Sequence, residues 1–150
     1  MHIRPLRPED LDAVMQIWLE GNLSANSFIP HSYWLSNKSR VRQELSEAEV
    51  YVAQEDFRVL GFLRLEGNEI RDMFVQKDLR NRNVGKALLD YAKSIRHELE
   101  LHIYKQNERA IRFYKREGMS VIHQGMDFEI GRPEWVMGWS DHKIPGGENA

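Results

Sequence analysis

Three cations and two asparagines are crowded into LRNRNVGKALL, which spans residues 79–89. The cations are Arg80, Arg82 and Lys86, and an amphipathic helical pattern begins at once with Val84. A helix start exposes unpaired backbone N–H groups and the positive end of the helix dipole, which together favour an anion such as a phosphate. A solvated turn with ordinary surface cations would explain the stretch equally well.

The two asparagines, Asn81 and Asn83, matter for the backbone conformation of this turn. Turning successive amides toward one anion often requires left-handed backbone angles, which glycine adopts freely and asparagine tolerates best among the other residues. We therefore expect Asn81 and Asn83 to adopt the left-handed backbone angles that glycines usually adopt in such turns. A Walker P-loop is excluded, because Arg80 stands where its first glycine belongs and Ala87 where it needs Ser or Thr. The glycines of the dinucleotide fingerprint are also missing.

A second informative stretch, LHIYKQNERAIRFYKREGM, covers residues 101–119. It predicts a strand and then a helix, with Asn107 as candidate N-cap and Gly118 as candidate C-terminal stop. Asn107 could cap the helix, contact a ligand, or do both. Taken alone, Tyr114 on this helix is most simply a packed aromatic residue.

Length and composition narrow the classes of protein. The chain has 150 residues, which suits one domain with a hydrophobic core, and its formal net charge of -2 offers no basic field for nucleic acid or an anionic membrane. It shows no long apolar run or secretory pattern, and the lack of cysteine fits the cytoplasm. That lack removes any cysteine nucleophile, and the six histidines show no metal spacing, so we predict no metal site.

Periodicity predicts an α/β chain. The expected strands cover residues 2–7, 49–55, 58–67, 69–75, 98–105, 119–125 and 134–139. The expected helices cover residues 8–22, 35–45, 84–95 and 107–118, with an aromatic-rich loop over 24–34. We expect one domain over residues 1–140 and a flexible tail over 141–150, where Pro, Gly and polar residues are concentrated.

Together, the two stretches resemble the GNAT superfamily of acyl-CoA-dependent N-acetyltransferases. The family's pyrophosphate motif, Gln/Arg-x-x-Gly-x-Gly/Ala, corresponds to Arg80, Asn83 and Gly85, with Asn83 in place of the usual glycine. Asn81 likewise replaces a glycine that often follows the arginine. Both replacements are of the kind that left-handed backbone angles tolerate.

The family's later pattern is Asn-x-x-Ala-x-x-Phe-Tyr-x-x-x-Gly-Phe. It corresponds here to Asn107, Ala110, Phe113, Tyr114 and Gly118. Met119 stands where phenylalanine is usual. The order of the predicted elements also matches the family, from the first strand to the strand over 134–139.

The resemblance implies a single α+β domain whose mixed central sheet splays between its fourth and fifth strands, flanked by about four helices. Acyl-CoA, expected as acetyl-CoA, would lie in the split, with its pantetheine arm bonded to the fourth strand like an added strand. Lys115 or Arg116 would meet its 3′-phosphate. The residues implied for cofactor binding are Met73, Phe74, Val75, Arg80, Asn81, Arg82, Asn83, Val84, Gly85, Lys86, Asn107, Ala110 and Phe113.

The resemblance also implies that an amine attacks the thioester directly in a ternary complex. The family pattern places Tyr114 as proton donor to the leaving thiolate, and a phenol with a pKa of about 10 is protonated at neutral pH. Glu69 and Asp72 on the fourth strand are candidates to take the amine's proton through water. Ordinary charged strand residues would explain both carboxylates as well.

The resemblance further implies that the acceptor contacts the segment over residues 21–40, which contains no Asp or Glu. Its Phe28, His31 and Tyr33 are the candidate substrate-binding residues, whereas Trp34 is expected in the core. A polycationic aminoglycoside would need several carboxylates, so the segment favours a lysine or N-terminal amine of a peptide or protein. A small-molecule amine, with Glu66 or Glu129 supplying charge, and a non-catalytic acyl-CoA sensor remain alternatives. The sequence also allows a homodimer.

Overall fold

A mixed β-sheet lies between two layers of helices in this computed structural model, which describes residues 1–79 and 83–141. The strands in those ranges are β1 (His2–Pro5), β2 (Glu49–Glu55), β3 (Arg58–Glu66), β4 (Glu69–Val75), β5 (Glu98–Tyr104), β6 (Ser120–Asp127) and β7 (Arg132–Ser140). The α-helices there are α1 (Leu11–Ala25), α2 (His31–Ser36), α3 (Lys38–Glu47), α4 (Val84–Ile95) and α5 (Glu108–Arg116). Short 3-10 turns occupy Pro8–Asp10 and Lys77–Leu79.

The sheet splits at its centre. Its strand order is β1-β2-β3-β4-β5-β7-β6, and all neighbours pair antiparallel except β4 and β5, which are parallel. Along β4 and β5 the register pairs only Glu69 with Glu100, and the Glu100 amide donates to the Asn68 carbonyl at 2.9 Å. β4 stays paired with β3 as far as Val75, and β5 stays paired with β7 as far as Tyr104. The predicted splay between the fourth and fifth strands is therefore confirmed.

The two faces of the sheet bury separate cores. One core, which includes Leu63, Leu88 and Leu101, packs β-strand residues against α4 and α5. The other, which includes Trp18 and Phe62, packs the opposite face against α1, α2 and α3. Successive side chains of a strand alternate between faces, so this division decides which β4 and β5 residues meet each helical layer.

Close contact between α1 and β4 requires a glycine. A Cβ atom at Gly21 would lie 2.3 Å from the Phe74 ring, far inside van der Waals contact. Gly21 therefore lets the helix approach the strand at the position where β4 leaves β5. Any larger residue would push α1 away from the split.

The helices between β1 and β2 differ from the prediction. The loop expected over residues 24–34 is wrong at both ends, because α1 extends to Ala25 and α2 begins at His31. The helix expected over 35–45 is divided at Asn37. The Asn37 side chain donates to the Tyr33 carbonyl at 2.6 Å, and its own carbonyl accepts from the Val41 amide at 3.0 Å. Asn37 thus ends one helix while starting the next, which a smooth periodicity does not reveal.

Residues 142–150 of the predicted tail, and with them most of that prediction, lie outside the described residues. The described Asp141 still donates its amide to the His97 carbonyl at 2.9 Å. In the part of the chain that the structure describes, no helix is long and apolar enough to cross a membrane.

Candidate active site

A cleft of about 1190 Å³ opens where β4 and β5 part. One side, the α4–α5 wall, is formed by the start of α4 and by α5. The side across the split, the opposite wall, comes from α1, α2 and the exposed faces of β5, β6 and β7. The predicted site residues that line the cleft are Glu69, Asp72, Met73, Phe74, Val75, Asn83, Gly85, Lys86, Asn107, Ala110, Phe113 and Tyr114.

Other predicted residues do not line it. The Val84 side chain is 1% exposed and belongs to the core beneath α4, so Val84 could meet a cofactor only through its backbone amide, and that contact stays a prediction. Arg80, Asn81 and Arg82 lie outside the described residues. Of the two candidates for a 3′-phosphate, Arg116 lines the cleft, whereas Lys115 is not among the lining residues.

The turn into α4 has the backbone expected from its sequence. Asn83 has φ 63° and ψ 20°, in the left-handed region, and directly precedes the helix. Its carbonyl accepts the Ala87 amide at 3.0 Å, while its side chain makes no capping hydrogen bond. The prediction that Asn83 adopts glycine-like angles is confirmed, and the first amides of α4 stand at the cleft edge.

Gly85 and Lys86 continue this edge. A Cβ atom at Gly85 would lie 3.4 Å from Phe113 Cζ and 3.7 Å from Val75 Cγ2, so a side chain there would fill the space between α4, α5 and β4. Lys86 Nζ lies 2.9 Å from Glu117 Oε1 and 3.5 Å from Asp90 Oδ2. Its hydrogen bond to Glu117 and these nearby charges raise the pKa of Lys86, which keeps it cationic.

Asp72 is a largely buried carboxylate on β4 that lines the cleft. Its side chain is 18% exposed, and burial raises its pKa to about 6, against the opposing charges of Arg64 and Arg71. Arg64 Nη1 lies 3.4 Å from Asp72 Oδ2 and 3.3 Å from Glu44 Oε1 on α3. Asp72 is thus largely ionised at neutral pH, but close enough to its pKa to exchange a proton.

Glu69 occupies a different position on the same strand. It pairs with Glu100 in the parallel register, at the closed end of the split. Its Oε2 lies 3.9 Å from Arg71 Nε, and its side chain is 32% exposed. Both carboxylates line the cleft, but Asp72 lies beyond the one pairing of β4 with β5, where the two strands have parted.

Tyr114 is a buried phenol that faces the cleft. Burial raises its pKa, and the charge of Asp72 raises it further, so Tyr114 remains protonated at neutral pH and can act as a donor. Its helix is held in place by the turn that follows it. The Met119 amide donates to the Tyr114 carbonyl at 2.9 Å, and Gly118 takes φ 96°, which confirms the predicted helix stop.

Asn107 stands at the start of α5 but does not cap the helix through its side chain. It occupies the N-cap position of α5, but its side chain makes no capping hydrogen bond, so capping does not explain it. Its amide donates to the Tyr104 carbonyl at 3.0 Å, and its carbonyl accepts the Ile111 amide at 3.1 Å. The side chain instead lines the cleft, where contact with a cofactor stays a prediction.

The three candidates for substrate contact are not brought into the cleft lining. Phe28 packs edge-on against Tyr104 with ring centroids 5.6 Å apart, and the Tyr33 hydroxyl donates to Glu129 Oε1 at 3.0 Å. His31 is exposed. The expected core position of Trp34 is confirmed, since it is 8% exposed, although it also reaches the cleft.

The opposite wall contains residues that the sequence interpretation missed. They are Trp18, Asn22, Asn26, His102, Tyr104, Asp127 and Glu134. The alternation in ELELHIY could have identified His102 and Tyr104, because it places them opposite the buried leucines. Nothing local marks Asp127 or Glu134, which reach the cleft through the pairing of β7 with β5 and β6. Among the described residues, no three His, Asp or Glu side chains are grouped to hold a metal ion.

Known proteins share both the sequence and the fold. The family described as acetyltransferase (GNAT) domain matches residues 46–118. Peptidyl-lysine N-acetyltransferase YiaC of Escherichia coli (strain K12) is 33% identical over 139 residues, which cover 91% of this chain and 95% of that protein. Peptidyl-lysine N-acetyltransferase YjaB of the same strain is 31% identical over 132 residues, covering 87% and 90%.

A solved structure agrees with these relatives. The solution structure of apo-form YjaB from Escherichia coli covers 92% of this chain and 96% of its own, with a TM-score of 0.83 and 28% sequence identity. The resemblance that was based on two short stretches is therefore confirmed over nearly the whole chain. The chain belongs to the GNAT family of acyl-CoA-dependent N-acetyltransferases.

Proposed function

We propose that this protein transfers the acetyl group of acetyl-CoA to the side-chain amine of a lysine in a peptide or protein, by direct attack in a ternary complex. The observation that carries the chemistry is the pairing, in one cleft, of a buried phenol and a buried carboxylate whose charge raises the pKa of that phenol. The names of YiaC and YjaB, both peptidyl-lysine N-acetyltransferases, support the choice of lysine.

The α4–α5 wall suits the coenzyme. The first amides of α4, together with Lys86, would hold the diphosphate, and Arg116 would meet the 3′-phosphate. The free edge of β4 over residues 73–75 would bond the amides of the pantetheine arm. Acetyl-CoA supplies the activated thioester, and this chain's residues supply orientation and proton transfer.

Asp72 would take the proton that the acceptor must lose. A lysine ammonium has an unperturbed pKa of about 10.4 and cannot attack until it is deprotonated. Asp72 is ionised at neutral pH and lies in the open part of the split. Glu69 is the weaker candidate, because it lies at the closed end beside Arg71.

Tyr114 would donate a proton or hydrogen bond to the departing sulfur. Its raised pKa keeps the donor proton in place until the thiolate develops. This role also argues against the alternative of a non-catalytic sensor, since binding alone requires no donor at the sulfur.

One observation favours a second acceptor class. The opposite wall carries Asp127 and Glu134, carboxylates that the acid-free segment over 21–40 did not predict. A small polycationic amine would use both of them. A lysine would instead place its single cation there and its apolar stem against Trp18 or Tyr104.

The experiment is a steady-state comparison of kcat/KM with acetyl-CoA. The acceptors are a lysine peptide with a blocked N-terminus, the matched peptide with a free N-terminus and no lysine, and an aminoglycoside. We expect the lysine peptide to give the highest value. Aminoglycoside turnover well above both peptides would overturn the assignment, as would a complete lack of transfer to either peptide.

A further inference from the structure

A histidine and a buried glutamate form a pair on the opposite wall that the proposed chemistry has not used. His102 on β5 contacts Glu134 Oε2 on β7 through its Nδ1 atom. Glu134 is 8% exposed, whereas the His102 side chain is 45% exposed, and both line the cleft. The second ring nitrogen, Nε2, lies 3.5 Å from Glu100 Oε2. One nitrogen is thus anchored by a buried carboxylate while the ring stays open to the cleft.

The pair lies on the same face of the sheet as Asp72. Leu101 and Ile103 of β5 belong to the core under α4 and α5, whereas Tyr104 packs in the core under α1, α2 and α3. Because side chains alternate along a strand, His102 lies on the same face of the sheet as Tyr104. On β4, Phe74 also packs in the core under α1, α2 and α3, and Asp72, two residues before it, lies on the same face. His102 and Asp72 therefore flank the split from its two sides.

Charges around the imidazole fit it for proton transfer. Burial lowers the pKa of His102, but the hydrogen bond and charge of Glu134 and the charges of Glu69 and Glu100 raise it on balance. In the neutral ring, Nδ1–H would donate to Glu134, and Nε2, which lies 3.5 Å from Glu100 Oε2, would carry the lone pair that accepts a proton. The charged groups that line this face are Glu69, Arg71 and Asp72 on β4, Glu100 on β5, Asp127 on β6 and Glu134 on β7.

Asp72 needs such a partner if it is the base. Its side chain is largely buried, so a proton accepted there must leave by a defined route before the next turnover. We propose that His102, oriented by Glu134, carries the acceptor's proton from Asp72 to solvent. This inference rests on the proposed function, in which Asp72 is the first proton acceptor.

In the proposed relay, one proton passes from the lysine ammonium to Asp72, then to His102, and then to water. An N–H bond of the lysine ammonium breaks and an O–H bond forms on Asp72. That O–H bond then breaks while an N–H bond forms at His102 Nε2, and water in the cleft would carry the proton between the two groups. The imidazolium, stabilised by Glu134 and Glu100, releases its proton to bulk water from its exposed edge.

The test uses the full chain and the acceptor it turns over fastest. We expect His102→Gln to lower kcat by roughly tenfold or more, below the 10²–10⁴-fold range of a direct acid–base catalyst because water can partly replace a relay. The KM for acetyl-CoA should not change. The matched control is His123→Gln, an exposed β6 histidine that does not line the cleft, which should leave kcat unaltered.

Three further readouts separate a relay from a structural role. Added imidazole should restore part of the kcat lost in His102→Ala. Glu134→Gln, which removes the charge that raises the imidazole pKa, should move the acidic limb of the kcat profile to lower pH. The double variant Asp72→Asn/His102→Gln should be no slower than Asp72→Asn alone, because groups that act in series are not additive.

An unchanged kcat in His102→Gln would overturn the inference, and so would multiplicative losses in the double variant. A loss in His102→Ala that imidazole does not restore, in a protein with an unaltered melting temperature, would also overturn it. Failure of the proposed function is distinguishable, because the wild-type protein would then transfer no acetyl group to a lysine peptide.

Discussion

The α4–α5 wall of the cleft is built from residues close together in the chain, whereas the opposite wall is assembled from α1, α2, β5, β6 and β7. On the first wall, local backbone conformation positions the lining residues, as in the left-handed turn at Asn83 and the helix stop at Gly118. On the second, side chains meet only because β7 lies between β5 and β6. Local sequence therefore defines the α4–α5 wall, proposed here to bind the coenzyme, whereas topology defines the opposite wall, proposed to bind the acceptor.

The largest expected effect tests the donor on the α4–α5 wall. Tyr114→Phe keeps the ring and removes the hydroxyl, so kcat should fall by about 10²-fold or more, with little change in CoA affinity. Tyr91→Phe is the matched control, because Tyr91 packs against Tyr51 away from the cleft, with ring centroids 4.8 Å apart. An equal kcat in the two variants would place the donated proton elsewhere.

The next effect tests the carboxylate between the walls. Asp72→Asn should lower kcat by roughly 10²-fold, the lower end of acid–base catalysis. In the wild-type protein, kcat/KM should fall about tenfold per pH unit below pH about 6, where Asp72 becomes protonated, and the variant should lack this limb. A limb that survives in Asp72→Asn would belong to another group.

Stability supplies the control for that variant. The pKa of Asp72 rises from 3.8 to about 6 on folding, so the folded state holds this proton more tightly than the unfolded chain. Its contribution to the free energy of unfolding is therefore present below pH about 4 and is lost as the pH rises through about 6. Asp72→Asn should consequently not lower the melting temperature at neutral pH, so any loss of activity reflects chemistry rather than unfolding.

A smaller effect tests the backbone of the α4–α5 wall. Asn83→Gly should preserve CoA binding, whereas Asn83→Val should weaken it. A β-branched residue costs about 1–2 kcal/mol at positive φ, so the turn relaxes in the free protein and binding must restore it, for a loss of roughly 5–30-fold. Titration calorimetry with CoA measures both variants, and equal affinities would refute the conformational role of this residue.

The same contrast explains what sequence could and could not predict. β2 and β4 match their predicted bounds, since the turns at residues 56–57 and 67–68 separate both strands from β3. Tyr114 and Gly85 were identified through the resemblance to the family's two motifs, each of which lies within one short stretch of the chain. Glu134 lies 32 residues from its partner His102, and no local pattern encodes a contact that depends on strand order. Asn107 is the N-cap residue of α5 as predicted, but its side chain makes no capping hydrogen bond, because residue type alone does not show where an N-cap side chain points.

The smallest expected effect concerns Arg64, which bridges Asp72 on β4 and Glu44 on α3. Burial raises the pKa of Asp72, and the Arg64 charge is the largest influence that opposes it. Arg64→Gln should therefore raise that pKa further, by roughly one unit for a lost cation at this distance, and move the acidic limb of kcat/KM to higher pH. Arg64→Lys keeps the charge and should leave the limb near its wild-type position. If Arg64→Gln instead lowers kcat at every pH without moving the limb, the arginine positions the strand rather than tuning the carboxylate, and the base must be sought along the His102 side of the cleft.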